Sequence, residues 1–145
     1  LSMGVKPFLL APALNSVIGQ RLVRKICQHC MEEVKLSAEK EKQIRQVLEK
    51  IPEDEKQKIN LQDLHFYHGK GCQECSGLGY KGRIGIYEIF IMNPEIEQII
   101  LSGQVSEYAI QYLVIKNGMV TMAHDGLLKA LDKITSVDEV FRVTE

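Results

Sequence analysis

The chain has 145 residues, 45% of them hydrophobic, and a formal charge of −1, enough to bury one core or a core with a satellite module. Balanced charge excludes a protein built to hold nucleic-acid phosphates, which needs a strongly basic face. The longest uncharged stretch runs only from Pro7 to Gln20 and includes Asn15, Ser16 and Gln20, so it is too short and too polar to span a bilayer. With Lys6 alone ahead of it, it also makes a poor signal peptide, and the reading is a cytoplasmic chain with reduced thiols. Because it opens at Leu1 rather than Met, it is expected to be a piece of a longer protein.

The first segment reads as an apolar lead-in and a short helix using Leu14, Val17 and Ile18 at i, i+3 and i+4. The run Arg21-Leu22-Val23-Arg24-Lys25-Ile26 fits either a strand or a helix end, the strand better. The pair Cys27-Gln28-His29-Cys30 follows, and a long intervening segment separates it from Cys72-Gln73-Glu74-Cys75. Between Met31 and Asn60, half of the side chains are charged. Within that stretch Ser37 is a candidate N-cap, Ile44, Val47, Leu48 and Ile51 form one narrow apolar stripe, and Pro52 is the stop. This predicts a solvated helix leaning on a neighbour, outside the core.

Arg83 to Ile91, Arg-Ile-Gly-Ile-Tyr-Glu-Ile-Phe-Ile, is β-branched and aromatic with apolar residues on both alternating faces, which predicts a strand buried on both sides. Glu88 is the exception: a carboxylate there is costly unless paired, and Arg21, Arg24 and Arg83 are the candidate partners. Four helices then close the chain. Asn93-Pro94-Glu95 starts one that Gly103 stops; Ser106 starts a second that Asn117-Gly118 ends. Thr121 caps a third through about Asp132, and Ser136-x-x-Glu139 is a capping box for a short last one.

Cys27, Cys30, Cys72 and Cys75 are the only cysteines, and two Cys-x-x-Cys pairs match a tetrahedral four-thiolate site of the kind Zn²⁺ accepts. Such a site has no open position and is structural. Gly77 and Gly79 stand where the chain must fold back and aim backbone N–H groups at thiolate. Lys25, Lys70, Lys81 and Arg83 are near enough in sequence to offset the formal charge of about −2 on a zinc tetrathiolate. Redox chemistry and disulfides account less well for the double spacing. His65 or His68 as a substitute ligand stays open, while His124-Asp125 reads as an exposed or satisfied helix pair. No Gly-x-x-x-x-Gly-Lys-Ser/Thr occurs, and Gly69-Lys70-Gly71 lacks the hydroxyl residue that would ligate Mg²⁺.

Several of these segments recur together in a known family. Met3-Gly4-Val5-Lys6-Pro7-Phe8-Leu9-Leu10, Gln20-Arg21-Leu22-Val23-Arg24-Lys25-Ile26-Cys27, Gly79-Tyr80-Lys81-Gly82-Arg83-Ile84-Gly85-Ile86-Tyr87-Glu88, and Gly118-Met119 ahead of Asp125-Gly126-Leu127 resemble, in order, the C-terminal part of the type II secretion and type IV pilus assembly ATPases. The resemblance runs from Leu1 to Thr144. It implies an α+β fold: residues 1–26 and 80–92 as the end of a RecA-like motor core, 27–79 as a zinc-binding tetracysteine insertion, and 93–145 as a C-terminal helical subdomain.

The resemblance also implies a parent protein that is a homohexameric motor at the cytoplasmic face of the bacterial inner membrane. There it would couple ATP hydrolysis to an inner-membrane platform protein; the balanced charge and short apolar stretch add that the chain itself neither binds nucleic acid nor inserts into the membrane. In that family the Walker A, Asp box, Walker B and His box precede the matched region. No catalytic or nucleotide-binding residue therefore carries over, and ATP and Mg²⁺ are expected only in the full-length parent. A free-standing zinc module that docks proteins is the alternative, and a thiol redox protein is a more distant third.

Overall fold

The computed structural model describes residues 5–103 and 106–144; Met3 and Gly4 of the first quoted motif, and Glu145 of the last expected subdomain, lie outside the described residues. Pro7 sits at the first position of a one-turn helix, α1 (Pro7–Leu10), where its missing N–H costs nothing. The turn tightens into a 3₁₀ segment, Ala11–Ala13, and the chain then extends as β1 (Ser16–Ile26). The helix expected on Leu14, Val17 and Ile18 is thus corrected: Val17 and Ile18 are strand residues opposite Phe90 and Ile89. Three apolar residues at i, i+3 and i+4 do not outweigh β-branching and a long partner strand.

After β1 come β2 (Met31–Val34), α2 (Ala38–Leu48), the single turn α3 (Glu53–Lys56), β3 (Phe66–Gly69) and a 3₁₀ turn, Gln73–Cys75. The strand β4 (Tyr80–Ile91) then returns along β1. Two antiparallel ladders result. β1 pairs with β4 from Ser16↔Ile91 to Arg24↔Arg83, with a register shift before Ile26↔Tyr80, and β2 pairs with β3. The four helices expected at the end are present as α4 (Pro94–Leu101), α5 (Glu107–Lys116), α6 (Met122–Leu131) and α7 (Val137–Thr144).

Alternation along the β1–β4 ribbon corrects a second expectation. Val23 and Ile86 share one face and are fully buried, whereas Ile18, Leu22, Ile89 and Ile91 share the other and are 60, 51, 48 and 73% exposed. The strand at 83–91 is therefore covered on one side only. Among the described residues the sheet has two strands, and α6 and α7 pack against it without enclosing it.

The main core takes in a helix that the sequence placed outside it. Ile44 and Leu48 of α2 and Phe66 of β3 are buried in one cluster with Leu127, Ala130, Val137 and Val140. The charged helix behind its Ser37 cap thus contributes Ile44 and Leu48 to the principal core, packed with buried residues of α6 and α7. Gly126 permits close α6–α7 packing: a Cβ there would fall 2.6 Å from Val140 Cγ1. A smaller cluster of Ala11, Ile96, Ile100 and Val114 joins the 3₁₀ turn to α4 and α5. Gly118, at φ +87°, ends α5 with Met119 N–H donating to Val114 carbonyl at 3.0 Å.

His124 ties the N-terminus of α6 to α2. Its Nδ1 accepts from Thr121 N–H at 3.3 Å, so Nε2 carries the proton and donates to Val47 carbonyl at 3.0 Å. Burial, with help from Lys50, holds its pKa below 6.5 against the bond to Val47. A neutral base of this kind stabilises the fold above about pH 6.5, and that contribution is lost as pH falls below it, by up to about 1.4 kcal/mol per pH unit. Urea unfolding at pH 7.5 and 5.5 should show this loss in the native chain and a shallower slope in His124→Gln; equal slopes would contradict the assignment.

Candidate metal centre

β1 delivers Cys27 at its end, and a tight turn brings Cys30 back, with Cys30 N–H donating to Cys27 carbonyl at 3.2 Å. The second pair closes on the first because the strands hold the two ends of the intervening segment together. Cys27 N–H donates to Gly79 carbonyl at 3.0 Å, and Lys70 N–H donates to Cys30 carbonyl at 3.0 Å. Gly69 and Gly79 touch through their backbones. A Cβ on Gly69 would lie 1.9 Å from Gly79 oxygen, so neither position accepts a side chain.

The structure brings all four cysteines together and leaves the histidines outside. Their sulfurs lie within 4.8 Å of one another, and Cys27, Cys30 and Cys75 are buried. Cys27–Cys72 and Cys30–Cys75 are each 3.8 Å apart and Cys72–Cys75 is 3.7 Å, far beyond a disulfide bond. A tetrahedron with edges of about 3.8 Å has its centre about 2.3 Å from each corner, the length of a zinc–thiolate bond. His65 is engaged with Glu33 at 2.5 Å and Asp63 at 2.8 Å, and His68 pairs with Glu32 at 3.4 Å.

Backbone donors shape the charge of the group. Cys75 Sγ accepts from Cys72 N–H and Gly79 N–H, both at 3.2 Å. Burial opposes the thiolate at Cys75, but those donors outweigh it and lower its pKa to about 6, whereas burial pushes Cys30 up to about 12. Ionising all four thiols in so dry a place would require a cation. Two of the four basic residues expected to offset charge pair with carboxylates: Lys70 with Glu32 at 3.6 Å and Lys81 with Glu74 at 3.4 Å.

The expected pairing of Glu88 needs correction. Its Oε2 accepts from Met122 N–H at 3.4 Å, and among the described residues no ion pair joins it to Arg21, Arg24 or Arg83. The N-terminus of α6 supplies a backbone donor where a guanidinium was expected. Arg24 goes instead to Glu139, which is 1% exposed. Glu139 accepts from Arg24 N–H at 2.9 Å, from the Arg24 guanidinium at 2.7 Å, and from Arg142 through two bonds of 2.9 Å. Its carboxylate is therefore spent on arginine and does not return to the Ser136 backbone, so the expected capping box is half made: Glu139 N–H donates to Ser136 Oγ at 3.4 Å. With Ile26 N–H bonded to Ile134 carbonyl and Thr135 Oγ1 to Arg24 carbonyl, this network fixes the base of the cysteine turn to the α6–α7 junction.

Known proteins share this chain's sequence pattern. Residues 1–142 match the family described as type II/IV secretion system protein. The chain is 39% identical over 98% of its length to a type IV pilus assembly ATPase PilB of Thermus thermophilus. It is 40% identical over 100% to a protein of the same name in Pseudomonas aeruginosa, and 36% identical over 99% to a type II secretion system protein E of Klebsiella pneumoniae. It spans 15, 24 and 26% of the lengths of these three relatives.

Proposed function

We propose, from the premise that this chain belongs to the type II/IV secretion system protein family, that it is the zinc-binding, non-catalytic C-terminal part of a hexameric ATPase driving type IV pilus assembly or type II secretion. The observation that carries this reading is the four-sulfur cluster, all within 4.8 Å of one another with three of the separations at 3.7–3.8 Å, set where a chain matching the family over residues 1–142 folds back on itself. Cys27, Cys30, Cys72 and Cys75 would hold one Zn²⁺. A closed tetrathiolate shell supplies structure and no chemistry. The residues around it do the positioning: Gly79 and Cys72 N–H groups orient Cys75, and the Gly69–Gly79 contact sets the distance between the two pairs.

In this reading residues 1–26 and 80–92 complete a RecA-like motor core, 27–79 form the insertion, and 93–145 form the helical subdomain. The chain contains no phosphate loop, so ATP and Mg²⁺ would be bound by the parent protein. The parent would act at the inner face of the inner membrane on a platform protein; no helix among the described residues is long and apolar enough to cross a membrane. Purified protein should contain about one zinc per chain. In cells, Cys72→Ser in the encoded protein, at native abundance, should abolish pilus extension or secretion. Less than about a tenth of an equivalent of zinc in protein never exposed to chelator, or normal export by the variant, would overturn the reading.

A further inference from the structure

The four sulfurs are not equally protected. Cys27, Cys30 and Cys75 are 1, 5 and 5% exposed, whereas Cys72 is only partly buried, and the two residues after it, Gln73 and Glu74, are exposed. Cys75 Sγ is further engaged by two backbone N–H groups, which occupy lone pairs and draw density from the sulfur. Among the described residues Cys72 Sγ accepts one, from Cys75 N–H. Attack on an electrophile requires thiolate character and access together. Metal binding would give every member of the set the first, and the fold gives the second to Cys72.

Resting on the zinc reading above, we propose that Cys72 is the modification site of this centre, the sulfur at which peroxides and small alkylating electrophiles enter, so that oxidation there releases the ion and opens the clasp. The Cys72 thiolate attacks one oxygen of a peroxide, the O–O bond breaks, and hydroxide or alkoxide leaves, with the sulfur oxidised to a sulfenic acid and the peroxide reduced. A second thiolate, on Cys75 at 3.7 Å or Cys27 at 3.8 Å, then attacks that sulfur and expels hydroxide, forming a disulfide. The disulfide no longer offers two anionic donors, and the remaining two sulfurs would not hold the ion.

The test uses the full chain with its zinc content measured first. Substoichiometric N-ethylmaleimide, followed by timed peptide mass spectrometry, should modify Cys72 at least about tenfold faster than the other three cysteines. Zinc release to a chromogenic chelator should keep pace with that adduct, and hydrogen peroxide should give a disulfide containing Cys72. Evenly spread adducts, Cys27 modified first, a disulfide of Cys27 with Cys30, or zinc lost before any adduct would overturn the inference while leaving the zinc reading intact. A starting content below about a tenth of an equivalent sinks the zinc reading and this inference with it.

Discussion

Cys75→Ser, or prolonged chelation of the native protein, is expected to unfold far more than the segment between the cysteine pairs. Structural zinc supplies about 10–16 kcal/mol in finger peptides, comparable with the roughly 5–15 kcal/mol that stabilises a whole domain. Because α2 and β3 share their core with α6 and α7 through Ile44, Leu48, Phe66, Leu127 and Val140, releasing the clasp uncovers both sides of that cluster. Trypsin should cut first between residues 31 and 70 and then within α6 and α7. The separate cluster of Ala11, Ile96, Ile100 and Val114 should protect α4 and α5 for longer. A variant that melts and digests like the native protein would refute this.

Glu139→Ala should cost about 3 kcal/mol at neutral pH, since it leaves Arg24 N–H without its acceptor and two guanidiniums without their shared carboxylate. Burial alone would raise the pKa of Glu139, but the bonds from Arg142 and Arg24 outweigh it and bring the value from 4.5 to about 2. A depressed carboxylate contributes its stability above about pH 4.5 and loses it as pH falls toward 2, a span worth roughly 3 kcal/mol. The stability difference between native protein and Glu139→Ala should therefore be full at pH 6 and shrink at pH 3. Denaturant unfolding showing a constant difference across that range would rule out an ionised Glu139 as the source.

These two groups were unequally legible in the sequence. The thiols announce themselves because a metal site has a local signature, the Cys-x-x-Cys spacing of each pair, and the structure adds only the closing of one pair on the other. Glu139 carries no such mark. Its partner Arg24 is 115 positions away, and a Ser-x-x-Glu spacing offered a sufficient local reading. Glu88 misled for the same reason in reverse: its strand looked doubly buried, and only the fold shows that a helix N-terminus meets it. The stripe on α2 was visible, but the surface that covers it belongs to α6 and α7, far along the chain, which periodicity does not address. Val17 and Ile18 read as helical from their spacing with Leu14, but they are β-branched, and pairing with β4 makes them strand residues.

The backbone contact between Cys27 and Gly79 means that the chain leaves the ribbon and returns to it at almost the same point. Everything between is a loop in the topological sense, whose length can change without altering the register of β1 and β4. Yet α2 and β3 are committed to the core, so tolerance to lengthening cannot be uniform along that loop. It should concentrate around α3, from Glu53 to Lys58, ahead of Ile59 and Leu61, which pack on the core. That makes this the natural place for a tag or reporter domain to be inserted while the metal clasp stays shut.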